Sequence, residues 1–211
     1  MKNKFTNIFL FLIFSIVLSS CVTQNSIPDP NFLGDYDPVL LGDVSVYTTN
    51  FGSEKANKIE IYFAPRTNML HLHIKDSINK MNIKLSEANR TFLQEAIISF
   101  SDDLNNDRLQ NRKPTSKNAY GSSIFSMEWG ITGAGHETDE AGILYNYKYL
   151  SDGRPYFMID LKQGADLIME GAKSPTADIY ISPSNLEDLL KMTKQDFLLA
   201  VVEELNSNYA Y

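Results

Sequence analysis

Residues 145–161 read YNYKYLSDGRPYFMIDL and carry the clearest structural signal in the chain. Tyr145, Tyr147 and Tyr149 alternate along one segment, Phe157, Ile159 and Leu161 along the next, and Asp152-Gly153 between them supplies the positive φ of a tight hairpin turn. Two antiparallel strands follow from that pattern. Upstream the same period of two recurs at Val44 and Val46, at Ile59, Ile61 and Phe63, at Leu70, Leu72 and Ile74, and at Ile83 and Leu85. Turn-forming stretches at 50–53 and 64–68 separate these runs. Further on, Phe125, Met127 and Trp129 share a face, and a short strand is expected around Ile179 and Ile181.

The period changes to three and four after Ser86, where Leu93, Ala96, Ile97, Phe100 and Leu104 lay one apolar stripe along a helix running to about Leu109. Residues 111–122 are polar and read as loop. A second helical segment begins near Pro183, where Ser184 and Glu187 have the spacing of a capping box. Met192-Thr193-Lys194 interrupts its stripe, so it reads as two short helices. The order β4-α-β4-α predicts an α+β fold, a mainly antiparallel sheet with two helical segments packed on one side of it.

The 211 residues include 43% hydrophobic and 11% aromatic residues, enough for one sizeable core. A formal net charge of −7 disfavours nucleic acid as a partner, because phosphate binding needs clustered Lys and Arg.

The amino terminus, MKNKFTNIFLFLIFSIVLSSC, has two lysines, a short apolar run from Ile8 to Leu18, and small residues before Cys21. The run is too short for a spanning helix, which needs about 20 apolar residues, and has the layout of a secretory signal. Leu18-Ser19-Ser20-Cys21 resembles the lipobox of bacterial lipoproteins. The resemblance implies cleavage after residue 20, acylation of Cys21 with fatty acid such as palmitate, and attachment to a membrane of the cell envelope. Val22, rather than aspartate, after the cysteine resembles lipoproteins sorted to the outer membrane. The chain then divides into a cleaved signal at 1–20, the lipidated cysteine and a Pro-containing tether at 21–38, and one α+β domain at 39–211. With a single cysteine, that domain has no internal disulfide.

Three sets of residues are candidates for function. His71 and His73 stand two apart on one strand and share a face, as a pair of zinc ligands can. With His136, and Glu137 or Asp139 as fourth ligand or base, they would make a metal-dependent hydrolase. The pattern departs from the His-x-His-x-Asp-His of metallo-β-lactamase-type enzymes, since Lys75 stands in the aspartate position. Tyr145, Tyr147 and Tyr149, joined by Tyr156, form an aromatic face suited to an envelope protein or glycan partner if it is exposed. The glycine-rich stretch 130–137 lacks a Lys-Ser/Thr end and reads as a long hairpin connection open to binding. Asp103–Asp107 begins like a calcium loop and then loses the turn glycine to Arg108. No Gly-x-Ser-x-Gly or His-Glu-x-x-His motif is present. The leading expectation is a lipid-anchored, non-enzymatic binding or structural module without a cofactor. A zinc hydrolase and a carrier of a lipid-like ligand, the latter requiring an internal apolar cavity, are the alternatives.

Overall fold

The computed structural model describes residues 29–50, 53–76, 79–131 and 135–209. The expected signal at 1–20, Cys21 and the expected tether up to residue 28 lie outside the described residues, as do Thr132, Gly133 and Ala134 of the glycine-rich stretch. Residues from Asn31 onward form one compact unit.

Eight strands follow the alternating runs: β1 (Val39–Asn50), β2 (Ser53–Ala64), β3 (Met69–Asp76), β4 (Asn79–Leu85), β5 (Gly121–Gly130), β6 (His136–Tyr149), β7 (Pro155–Leu161) and β8 (Ala177–Ile181). Every neighbouring pair is antiparallel, and β8 pairs back onto β1 through Val46 with Ile181 and Thr48 with Ile179. The sheet is a closed barrel. This corrects the expected α+β sheet with helices on one side. The two four-stranded halves are joined by β4–β5 pairing, with Ile83 opposite Met127, and β8–β1 pairing at Val46, Tyr47 and Thr48 closes the sheet.

Among the described residues three α-helices lie outside the wall: α1 (Glu87–Asn105), α2 (Pro183–Thr193) and α3 (Gln195–Tyr209). Ser86 caps α1, its hydroxyl accepting the Asn89 N–H at 3.3 Å, and the helix stops short of Leu109. At α2 the cap is Ser182 with Pro183 in the first turn, so the Ser184–Glu187 capping box does not form. Strand direction places the β2–β3, β4–β5 and β6–β7 connections at one end of the barrel, together with the start of β1 and the end of β8. Both helical segments therefore lie at that end. The other end carries the four remaining hairpin connections.

Inward residues come from every strand and merge with Leu93, Ala96, Ile97 and Phe100 of α1 and Leu186, Leu189 and Leu198 of α2 and α3 in one core. Ile59, Ile61, Phe63, Ile83, Phe157 and Ile179 have no accessible surface, so no water-sized space adjoins them. The interior is filled rather than hollow at these residues, which removes the cavity a lipid carrier would use there. The outward positions of β2–β4 are Lys58, Glu60, Tyr62, His71, His73, Lys75, Lys80, Asn82 and Lys84. Apolar inside and charged outside is the reverse of a membrane-spanning barrel, so this wall faces water. No helix among the described residues is long and apolar enough to cross a bilayer.

The last part of the expected tether belongs to the folded unit. The Leu33 N–H donates to the Pro65 carbonyl at 2.9 Å, and Asp35 and Asp37 hold Arg66 at 2.6 and 3.0 Å. Residues 33–37 are thus strapped to the β2–β3 turn at the helical end.

Candidate functional site

Register, rather than sequence proximity, assembles the polar site on the barrel wall. Glu60 of β2 stands opposite His73 of β3, His73 opposite Asn82 of β4, and Asn82 opposite Glu128 of β5. One residue row away, Tyr62, His71 and Lys84 are aligned in the same way. Each is an outward position of an alternating strand, so four strands bring their polar faces to one strip. A groove of about 640 Å³ runs along it, lined among others by Lys58, Glu60, Tyr62, His73, Asn82 and Glu128. That volume suits a small ligand or a few units of a polymer.

The groups on the strip are tied together. The Asn82 side-chain amide donates to Glu128 Oε2 at 3.0 Å and lies 3.4 Å from His71 Nδ1. Lys84 pairs with Glu128, and Lys58 with Glu60 at 2.8 Å. The Tyr62 and His73 rings pack with centroids 4.7 Å apart. His73 Nε2 and Asn82 Oδ1 are buried with no hydrogen-bond partner. Burial of such atoms costs about 1–3 kcal/mol each unless water or a ligand completes them.

Burial pushes the His71 imidazole down to about 4, with the Lys84 and His73 charges acting in the same direction and Glu128 opposing them. His73 is also lowered, chiefly by burial. For Glu128 burial acts upward, but hydrogen bonds from Lys84 and Asn82 outweigh it and its carboxyl sits below the usual range. Because an unfolded chain protonates histidine near 6.5, the unfolded state binds more protons between about 6.5 and 4. Stability therefore falls as pH drops through that window. His71→Gln should flatten the decline in melting temperature between pH 7 and pH 5. Equal declines in the two proteins would show that the buried ring is not its source.

The three histidines do not meet. His71 and His73 face outward, whereas His136 stands opposite Trp129 on the inward face of β5 and β6, so the sheet itself separates them. His136 stacks on Trp129 with centroids 5.5 Å apart, and its Nδ1 donates to Asp166 Oδ2 at 2.6 Å. Glu137 and Asp139 are exposed on the outside. Among the described residues no group of three or more His, Cys, Asp and Glu side chains is placed to share a metal ion. The predicted zinc cluster is thus a product of counting histidines without knowing their faces.

The tyrosine stripe also changes meaning. Tyr145 and Tyr147 point into the barrel and are buried, Tyr149 is half-buried at the helical end, and none of them forms an exposed face. The Tyr147 hydroxyl donates to the Gln110 carbonyl at 2.9 Å, and burial raises the Tyr145 phenol to about 12. Tyr156 lies on the opposite face, opposite Lys148, and packs in a small outer cluster with Leu150, Met158 and Tyr180. The long connection expected after Gly130 is shorter than its composition implied, since β6 already begins at His136.

Fold and site together define an eight-stranded meander barrel, closed by helices at one end, with a polar groove across β2–β5. The family model described as "Uncharacterised Treponema protein" matches residues 5–200, and the chain belongs to that family. It is similar to an uncharacterized protein of Treponema pallidum (strain Nichols), 25% identical over 198 residues, which cover 92% of this chain and 69% of that protein. No solved structure matches it significantly.

Proposed function

We propose that this protein is a lipid-anchored, non-enzymatic module of the bacterial envelope that binds a hydroxyl-rich ligand, an envelope glycan, in the β2–β5 groove. The groove carries the reading: it sets the Tyr62 and His73 rings, tilted 36° to one another, beside the Glu60 and Glu128 carboxylates and the Asn57 and Asn82 amides. Flat rings cover the apolar face of a sugar, and carboxylates and amides take its hydroxyls. The lipobox-like Leu18-Ser19-Ser20-Cys21 supports the anchor, and Val22 after it favours the outer membrane.

Titrating oligomers of N-acetylglucosamine into the mature chain should shift backbone amide resonances of β2–β5, and Tyr62→Ala or Glu128→Gln should suppress the shifts without unfolding the barrel. Shifts elsewhere, or none, would overturn the groove assignment. Fatty-acid labelling tests the anchor separately: Cys21→Ser should abolish it, and persistent labelling would disprove acylation there.

A further inference from the structure

The β7–β8 connection, residues 162–176, lies at the barrel end opposite the helices and is an ordered structure with an apolar tip. Ala165 bridges to Lys173, the Asp166 N–H donates to the Ala172 carbonyl at 3.1 Å, and the Leu167 N–H donates to the Glu137 carbonyl at 2.8 Å. The Asp166 side chain has no exposed surface; its carboxylate accepts from His136 Nδ1 at 2.6 Å and from the Ile168 N–H at 3.0 Å. Immediately after this brace, Leu167, Ile168 and Met169 are 57%, 61% and 55% exposed, and Ile131 at the same barrel end is 70% exposed.

Three consecutive aliphatic side chains held outward by a buried carboxylate contribute nothing to the core. The tip is apolar, without the Tyr, Trp or Arg that anchors most protein interfaces. That composition suits a fluid apolar layer better than a fitted pocket.

We infer that this loop is a second membrane contact, in which Leu167, Ile168 and Met169 dip into the interfacial layer of the bilayer that holds acylated Cys21. The inference rests on the lipid-anchor reading for which bilayer is met, and reach permits it. The folded unit begins at Asn31, strapped near the helical end, and the ten residues from Cys21 extend at most about 33–36 Å. The wall is about 30 Å tall for strands of this length at ordinary barrel tilt. The tether can therefore let the far end touch the membrane, with little slack. Charge selects the lipid. Around the tip Lys162 and Lys173 offset Glu137 and Glu170, and the mature chain as a whole carries 17 basic and 26 acidic residues, so zwitterionic headgroups are favoured over anionic ones.

The test uses the mature chain with Cys21→Ser, which removes any acyl anchor, and phosphatidylcholine vesicles. Trp129, the single tryptophan, stacks on the His136 that braces the loop and reports from that end. The chain should float with the vesicles, and lipids spin-labelled near the headgroup should quench Trp129. Replacing Leu167, Ile168 and Met169 together by serine should weaken partitioning about a hundredfold, while emission and melting in buffer stay unchanged. No flotation, equal flotation of the serine variant, or tip-dependent self-association without lipid would overturn the contact. Fatty-acid labelling of the native chain is read independently, so a failed tip and a failed anchor are distinguishable. In the acylated protein, deleting residues 24–29 should abolish the quenching, because the shortened tether no longer spans the wall; quenching that survives the deletion would overturn the tip-down geometry.

Discussion

Arg90→Met is expected to destabilise the barrel by about 3 kcal/mol, a large part of the 5–15 kcal/mol that holds a typical domain together. Arg90 is only 1% exposed on α1, and its guanidinium reaches three other segments. Nη1 donates to the Asn68 carbonyl at 2.6 Å and to the Leu85 carbonyl at 3.4 Å; Nη2 donates to Asn68 Oδ1 at 3.1 Å and to the Gln195 side chain. One side chain thus ties the β2–β3 turn, the end of β4 and the start of α3 to α1. Burial lowers the guanidinium pKa but leaves it charged, and methionine would relieve that desolvation. The opposing effect is larger. Methionine fills the volume but leaves buried acceptors bare at about 1–3 kcal/mol each, and only Gln195 can turn toward water. Arg90→Lys keeps the charge but not the fork, and should lose about half as much. Urea unfolding followed by Trp129 emission measures both. A methionine variant as stable as the parent would mean the acceptors find water instead.

Arg90 also marks the boundary between what the sequence reveals and what it hides. Leu93, Ala96, Ile97 and Phe100 make the apolar stripe of α1 readable, because helix period is local. The Asp152-Gly153 hairpin is readable for the same reason, and Gly153 has φ of +76° in the turn. Each strand was visible through its alternation. Closure was not: an open sheet and a barrel present the same apolar face, and the deciding pairs, Val46 with Ile181 and Ile83 with Met127, are distant in sequence. Nothing local distinguishes them.

The candidate site follows the same division. His71 and His73 are legible in the sequence as a spaced pair, and they lie on the strip. Glu60, Asn82, Lys84 and Glu128 carry no signal of their own in the sequence, since each is one polar residue on an amphipathic strand until register aligns them. The tyrosines failed in the opposite direction. Tyr145 and Tyr147 alternate as an exposed stripe would, but Tyr is large enough to be buried if its hydroxyl finds a partner, and Gln110 supplies one for Tyr147. Alternation identifies two faces without naming the wet one. The charged outward row of β2–β4 could have done so, had the pairing been known.

Phe100→Ala should cost about 3–5 kcal/mol, and its physical origin differs from that of Arg90. Phe100 has no exposed surface, and its ring lies 5.7 Å from Phe157, 6.1 Å from Tyr147 and 6.2 Å from Tyr120, measured between centroids. Those partners come from β7, from β6 and from the segment leading into β5. Helix α1 therefore closes this end of the barrel by pushing an aromatic ring among inward-facing rings, and alanine removes the stopper while the rigid wall cannot collapse into the space. The loss combines the transfer of the ring, the cavity left behind and the aromatic contacts, which add about 0.5–1.5 kcal/mol per pair beyond area. Phe100→Leu keeps most of the volume but gives up the three ring contacts, and should lose less than alanine does. The comparison separates volume from ring geometry: if leucine is as damaging as alanine, the ring contacts dominate, and if alanine costs under about 1 kcal/mol, α1 is not seated in the barrel mouth. The groove across β2–β5 lies on the outer wall, so neither variant should alter the pattern of amide shifts there while the barrel remains folded. The stopper and the groove lie on opposite faces of the wall, so the buried residues around Phe100 bear on stability, whereas the proposed ligand would meet only the outside.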